Sequence, residues 1–107
     1  MIEIRRYVTA QGKDIFQGWL DKLRDVGTRA RIELRIMRLG RGLTGDCKSI
    51  KGGIHELRID IGPGYRVYFA NDGERIVLLL CGGDKASQQK DIENAIKYWK
   101  DYQARRI

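Results

Sequence analysis

Five short segments are predicted to be strands, and in three of them, 2–7, 54–61 and 65–69, residues alternate between two faces as they do in strands with one face on a hydrophobic core. These predicted strands cover residues 2–7, 47–51, 54–61, 65–69 and 75–81. The alternation is clearest in the third of them, where one side carries His55, Leu57, Ile59 and Ile61 and the other carries Glu56, Arg58 and Asp60. The segment 75–81 is apolar almost throughout, so we expect a central strand covered on both faces. The glycines at 82 and 83 are expected to end it.

Apolar residues spaced by three and four predict three helices. The first begins near Lys13, and its apolar face is formed by Ile15, Phe16, Trp19, Leu20 and Leu23. Val26 and Gly27 are expected to end this helix, and Thr28 to cap a second one over about residues 29–39. The third helix is predicted from about Ser87 to about Ala104.

The second predicted helix has two apolar sides. At 100° per residue, Ala30, Leu34 and Met37 fall nearly opposite Ile32, Ile36 and Leu39. Three arginines, Arg31, Arg35 and Arg38, lie on the flank between the two sides. A solvated face is the simplest interpretation of these arginines, and a contact with nucleic acid or with an acidic partner is the alternative.

The order of the elements is strand, two helices, three or four antiparallel strands, and a last helix. This order is typical of an α+β fold in which two N-terminal helices and a C-terminal helix pack on a curved antiparallel sheet. A length of 107 residues fits one domain, 1–107.

A net charge of +7 favours nucleic acid, an anionic membrane or an acidic protein as partner. No apolar run approaches the roughly 20 residues that span a bilayer, and the N-terminus lacks the pattern of a signal peptide. We therefore expect a cytoplasmic protein without a membrane partner. One histidine, His55, and two isolated cysteines, Cys47 and Cys81, offer no spacing for a metal site, so no metal or other cofactor is expected.

Candidate chemistry centres on the segment 62–69, where a Gly-Pro-Gly turn leads into a strand with an arginine between aromatic residues. A tight hairpin would place Arg66 on the same face as Arg58 of the preceding strand, with Lys85 within reach. Neighbouring unpaired cations bind anions well, and a phosphodiester is the natural candidate. Tyr68 is expected on the side of Arg66, where its ring could stack on a base. Alternatively, Arg58 pairs with Glu56 or Asp60 and is an ordinary surface residue.

Further residues could add to this surface. Lys48 and Lys51 bring positive charge near the entry to the same sheet. His55 could be a general acid or base, although its position on the side of Leu57 and Ile59 favours a histidine at the edge of the core. Gly82-Gly83-Asp84-Lys85 lacks the spacing of a phosphate-binding loop, so a nucleotidase is excluded.

Several motifs together resemble a known family. They are Tyr7-Val8-Thr9-Ala10, Phe16 with Trp19-Leu20, Gly53 with Glu56-Leu57-Arg58, Gly62-Pro63-Gly64-Tyr65-Arg66-Val67-Tyr68, and Leu79-Leu80-Cys81-Gly82-Gly83-Asp84-Lys85 with Gln88, Asp91-Ile92 and Ala95. They resemble the addiction-module killer proteins of the RelE/ParE toxin superfamily, in its HigB-like, phage Gp49-like branch. The resemblance covers nearly the whole chain.

The resemblance implies a type II toxin that is silenced by an antitoxin with a helix-turn-helix DNA-binding domain. RelE-like toxins enter the ribosomal A site and cleave mRNA there, with the 2′-hydroxyl as nucleophile and without a metal. In this sequence Arg66 matches a catalytic arginine, while Arg58 and Lys85 match cationic positions. The residues expected to bind RNA are Lys48, Lys51, Tyr68 and Lys90.

The last helix departs from the family pattern. RelE-like enzymes often have a tyrosine or histidine early in this helix as the acid/base group, and here the region reads Gln88-Gln89-Lys90-Asp91. Asp91, Lys90 or His55 could take the role. Three functions stay open at this point: a ribosome-dependent endoribonuclease, a non-enzymatic inhibitor of DNA gyrase, and a binding module that acts only within an antitoxin–operator complex.

Overall fold

Eight elements follow one another in the computed structural model, which describes residues 2–106. They are β1 (Glu3–Arg6), α1 (Ile15–Lys22), α2 (Val26–Leu39), β2 (Cys47–Ser49), β3 (Ile54–Ile59), β4 (Tyr65–Asp72), β5 (Ile76–Asp84) and α3 (Gln88–Arg105). The predicted α+β fold and the predicted order of elements are confirmed. Within the described residues, no helix combines the length and the apolar character needed to cross a membrane.

The five strands form one sheet in the order β1-β5-β4-β3-β2. The pairs β2–β3, β3–β4 and β4–β5 are antiparallel, whereas β1 runs parallel to β5. The sheet is therefore mixed, and the prediction of an antiparallel sheet is wrong for its first strand. The pattern of side chains along a strand is the same in both directions, so it carries no information about the direction of the partner.

Helices cover both faces of the sheet. One core lies between the sheet and the N-terminal helices and includes Phe16, Leu20, Ile32, Leu57, Val67, Phe69 and Leu79. A second core lies on the α3 face and includes Tyr7, Ile54, Tyr68, Leu78, Leu80, Ala95 and Trp99. Strand β5 is buried from Val77 to Gly83, which confirms the prediction of a strand covered on both faces.

The boundary between α1 and α2 differs from the prediction. Helix α1 already ends at Lys22, and α2 begins at Val26, so Val26 and Gly27 open a helix instead of closing one. The cap is Asp25 and not Thr28: its carboxylate accepts hydrogen bonds from the Thr28 hydroxyl at 2.8 Å and the Thr28 backbone N–H at 2.9 Å. These bonds lower the pKa of Asp25.

The glycines at 82 and 83 do not end β5, which continues to Asp84. Both lie where a helix comes close to the sheet. A side chain at Gly82 would collide with the Trp19 ring on one face, and a side chain at Gly83 would collide with the Asp91 carboxylate on the other. Close packing requires glycine at both positions, whereas the prediction from the sequence interpreted the two glycines as the end of the strand.

Candidate functional site

The hairpin between β3 and β4 brings two arginines together. Its turn contains Gly62 and Gly64 at φ 54° and 81°, a backbone conformation that favours glycine. The resulting register pairs Arg58 directly with Arg66. Residues that oppose each other in antiparallel strands share one face of the sheet, so the prediction that these arginines are neighbours on one face is confirmed.

Each of the two arginines has a carboxylate partner. Arg58 Nη2 lies 3.0 Å from Asp46 Oδ1, and the Arg58 side chain is 40% exposed. The partner is therefore Asp46, from the loop before β2, and neither Glu56 nor Asp60 as the sequence suggested. Arg66 is only 13% exposed, and its Nε lies 3.4 Å from Glu56 Oε2. The two neighbouring cations are not unpaired, which corrects the argument from the sequence.

Glu56 is a member of the site that sequence reasoning missed. Its side chain is 1% exposed, and Oε2 accepts hydrogen bonds from Gln88 Nε2 at 2.8 Å and from the Tyr68 hydroxyl at 3.1 Å. One carboxylate thus contacts β4 and α3 together, and its contact with Arg66 is an ion pair without a hydrogen bond to the buried Nε. Arg66 Nη1 also donates to the carbonyl of Gly64 at 3.0 Å.

Tyr68 is fully buried, so the prediction that it points outward beside Arg66 is wrong. It does share the face of Arg66, but α3 covers that face at this point. Burial raises the pKa of Tyr68, and the Glu56 carboxylate raises it further. The ring has no exposed surface on which a base could stack, and Tyr68 instead supports Glu56.

Asp91 joins the site from the first turn of α3. Its carboxylate lies over Gly83, which is the partner of Arg66 across the β4–β5 pair. The Ser87 hydroxyl donates to Asp91 Oδ2 at 2.5 Å. Burial nevertheless raises the pKa of Asp91, and Asp84 acts in the same direction. A carboxylic acid with a raised pKa is suited to accept and return protons.

The four predicted lysines are all exposed. The Cβ of Lys85 lies 3.9 Å from the point where a side chain on Gly64 would begin, so Lys85 stands beside the Gly62–Gly64 turn. Lys48 lies opposite Glu56 in the backbone register of β2 and β3, and it is exposed on the face of Arg58. Lys51, in the turn before β3, and Lys90, in α3, are also exposed.

His55 lies on the opposite face of the sheet from the two arginines. Its ring stacks on Phe69 with 5.2 Å between the ring centroids, and Asn71 Nδ2 lies 3.3 Å from its Nε2. This placement confirms the interpretation as a histidine at the edge of the core. The sheet separates His55 from Arg66, so the structure does not bring it together with the other candidate catalytic residues.

A cleft of about 150 Å³ opens beside the arginine pair. It is lined by Asp46, Arg58, Ile59, Asp60, Gly64, Tyr65 and Arg66. An exposed arginine and a fixed one at the same opening can bind an anion of the size of a phosphate group. Within residues 2–106, no group of three or more His, Cys, Asp and Glu side chains is placed to hold a metal ion.

The fold and the cleft define a basic α+β protein with an arginine pair on the β3–β4 hairpin. Residues 18–100 match the family described as "Phage derived protein Gp49-like (DUF891)". The chain is also 54% identical over 80 residues to an uncharacterized protein of Haemophilus influenzae, an alignment that covers 75% of this chain and 81% of the relative. The chain belongs to the Gp49-like family, which is associated with toxin–antitoxin addiction modules.

Proposed function

We propose that the protein is the toxin of a type II toxin–antitoxin module, a HigB-like member of the RelE/ParE superfamily that acts in the cytoplasm. Its activity is ribosome-dependent cleavage of mRNA, and its partner is an antitoxin with a helix-turn-helix domain. One observation carries the proposal: an exposed and a fixed arginine share a cleft, and Asp91, a carboxylic acid of raised pKa, lies over Gly83, the cross-strand partner of Arg66.

The two arginines have different tasks in this proposal. Exposed ion pairs contribute only about 0.2–1 kcal/mol, so the scissile phosphate can replace Asp46 as the partner of Arg58. Arg66 is held by Glu56 and Gly64, so it does not have to reorganise when charge develops on the phosphate oxygens. Lys48, Lys51 and Lys90 contact the RNA backbone outside the cleft.

The proton transfers use Asp91 and Lys85. The Asp91 carboxylate accepts the proton of the 2′-hydroxyl, whose oxygen attacks the adjacent phosphorus. The bond from phosphorus to the 5′ oxygen breaks, and this oxygen takes a proton from the Lys85 ammonium group. The products are a 2′,3′-cyclic phosphate and a 5′-hydroxyl. Asp91 thus takes the role that a tyrosine or histidine early in the last helix often has in RelE-like enzymes.

Primer extension on cellular mRNA after induction of the protein tests this function. We expect cuts within translated codons that Arg66→Ala and the exposed Arg58→Ala each weaken by roughly 10²–10³-fold, because each removes a group that stabilises the transition state. Lys97→Ala, an exposed change in α3 away from the cleft, is the control and keeps the cuts. Circular dichroism verifies that each variant is folded.

Two other outcomes would overturn the proposal. Growth arrest with intact mRNA and an induced DNA-damage response would identify a gyrase inhibitor. Normal growth on expression of the chain alone would identify a module that acts only within an antitoxin–operator complex.

A further inference from the structure

The three arginines on one flank of α2 differ in their surroundings. Arg31 and Arg38 are exposed, as the interpretation of a solvated face expects. Arg35, between them, is half-buried, and its guanidinium donates hydrogen bonds to the backbone beside the arginine cleft. The interpretation of a solvated face is therefore wrong for Arg35.

The Arg35 guanidinium holds two segments of the backbone together. Its Nη1 donates to the carbonyl of Arg58 at 2.6 Å, at the end of β3. Its Nη2 donates to the carbonyls of Asp46 at 3.2 Å and Thr44 at 3.3 Å, in the loop before β2. The loop passes so close that a side chain on Gly45 would begin 3.1 Å from Nη2. One side chain of α2 thus fastens this loop to β3.

The two segments carry one half of the candidate site. Asp46 binds Arg58 at both ends of the residue: its carbonyl accepts from the Arg58 backbone N–H at 2.9 Å, and its Oδ1 accepts from Arg58 Nε at 3.2 Å. Both residues line the cleft that also contains Arg66. Arg35 therefore acts on Arg58 in two ways, directly at its carbonyl and indirectly through Asp46.

Arg58 needs such support more than Arg66 does. Its side chain is 40% exposed, against 13% for Arg66, and a long exposed side chain samples many rotamers. In the proposed reaction the phosphate takes the place of the Asp46 carboxylate. The bond from Arg35 to the carbonyl of Arg58 is not affected by this exchange, so it can keep the backbone of Arg58 in place while the substrate binds.

We propose that Arg35 is a positioning residue for the reaction: it holds the backbone of Arg58 and Asp46 so that the Arg58 guanidinium meets the scissile phosphate in a fixed orientation. It acts through Arg58. A lysine could not replace it, because three carbonyls are reached by two nitrogens of a planar fork, and an ammonium group donates from a single point. The inference rests on the proposed function for the reaction, but the positioning of Arg58 can be measured without it.

Arg35→Lys tests this role, and Arg31→Lys is the matched control, the same change at an exposed position one turn earlier in α2. Neither variant changes the net charge. Each is made in the wild type and in the Arg58→Ala variant. Two quantities are measured on the full chain: the rate of mRNA cleavage on programmed ribosomes as a function of ribosome concentration, and the NMR order parameter of the Arg58 Nε–H bond, which reports its mobility without any substrate.

We expect Arg35→Lys to lower the maximal rate by about 10-fold or more, because the misplaced guanidinium supports the transition state less well. The half-saturating concentration should stay within about twofold, since the charge that attracts RNA is kept. The order parameter of Arg58 should fall. In the Arg58→Ala background Arg35→Lys should cause no further loss of rate, and Arg31→Lys should change none of these quantities.

Asp46→Ala, at an exposed position, is the second variant and decides the matter if Arg35→Lys does not fold. It removes the carboxylate that Arg35 holds in place, so the Arg58 order parameter should fall here as well.

The outcomes separate this inference from the proposed function. An unchanged Arg58 order parameter in Arg35→Lys, or an equal loss of rate with and without Arg58, would overturn the role of Arg35 and leave the ribonuclease intact. If the wild type cleaves no mRNA while the order parameter falls in Arg35→Lys alone, the proposed function falls and the positioning of Arg58 stands.

Discussion

Glu56 shows how one buried charge organises the candidate site. Its carboxylate contacts a guanidinium, an amide and a phenol that belong to two different elements. A buried carboxylate is costly unless such partners compensate for its lost hydration. The three contacts therefore depend on one another, and the loss of the charge should disturb all of them.

We predict that Glu56→Gln, a change of nearly equal volume, lowers the free energy of unfolding by about 3–5 kcal/mol, because it leaves the nearly buried Arg66 without its counter-charge. Urea denaturation measures this. Glu93→Gln, an exposed position of α3, is the matched control and should change stability by less than about 0.5 kcal/mol. A similar small change for both variants would show that Glu56 does not hold the site together.

The sequence places Glu56 and Tyr68 on the correct face but not at the correct depth. Alternation distinguishes the two faces of a strand, and it assigned Glu56 to the face of Arg58 and Tyr68 to the face of Arg66. It does not tell whether a helix covers a polar face. In the structure, the first turns of α3 cover this face of the sheet over Glu56 and Tyr68, whereas Arg58 stays at the opening of the cleft. The difference depends on where α3 packs.

At the level of elements, the contact between β5 and α3 depends on the absence of a side chain at Gly83. The strand passes directly beneath Asp91 and Ser87, and the same close approach places the Asp91 carboxylate over the residue that pairs with Arg66 across the sheet. The packing of α3 on β5 and the position of Asp91 thus both depend on Gly83.

Gly83→Ala should destabilise the fold by about 1–3 kcal/mol, since an added methyl group forces α3 away from the sheet. The same change at Gly18, where a methyl group meets no atom within 4 Å, should stabilise α1 by up to about 1 kcal/mol. Thermal denaturation compares the two variants. If Gly83→Ala is as stable as the wild type, α3 does not rest on β5 as closely as described.

Some boundaries of helices and strands can be predicted from the sequence, and others cannot. The buried run of β5 and the apolar face of α3 stand out in the sequence because they are long and regular. The start of α2 does not, since Val26 and Gly27 interrupt the pattern while Asp25 supplies the cap. An aspartate before a weak helix former is a common combination in loops as well.

For the whole molecule, the end of α3 is fastened to the chain just after β1. Tyr7 donates a hydrogen bond to Asp101 Oδ2 at 2.6 Å, and Arg105 donates to the carbonyl of Val8 at 2.6 Å. Arg105 also pairs with Asp101 at 2.8 Å. The hydrogen bond from Tyr7, supported by Arg105, lowers the pKa of Asp101 below its ordinary value.

A carboxylate whose pKa is lowered on folding stabilises the fold above its ordinary pKa, and this contribution is lost as the pH falls through the lowered value. We therefore predict that Asp101→Asn reduces the fall in melting temperature between about pH 4 and pH 2. Melting curves at several pH values measure the slope. Glu74→Gln, in the exposed turn before β5, should leave it unchanged, and an unaltered slope in Asp101→Asn would contradict the prediction.

The class of fold follows from the order of the predicted elements, but the direction of β1 does not. It depends on a pairing between Glu3 and Ile76, which lie far apart in the chain. No short-range pattern encodes such a contact, and the crossover through α1 and α2 becomes visible only when the sheet is assembled.

This parallel pairing also sets an order of events during synthesis. While the ribosome is still making the middle of the chain, β1 has no strand to join, because β5 ends only at Asp84. The core around Tyr68, on the α3 face of the sheet, can form only after α3 has been synthesised, and α3 is the last of the described elements. Folding is therefore delayed by contacts between distant parts of the chain, and the hydrogen bond from Gln88 to Glu56 can form only after most of the chain has been translated.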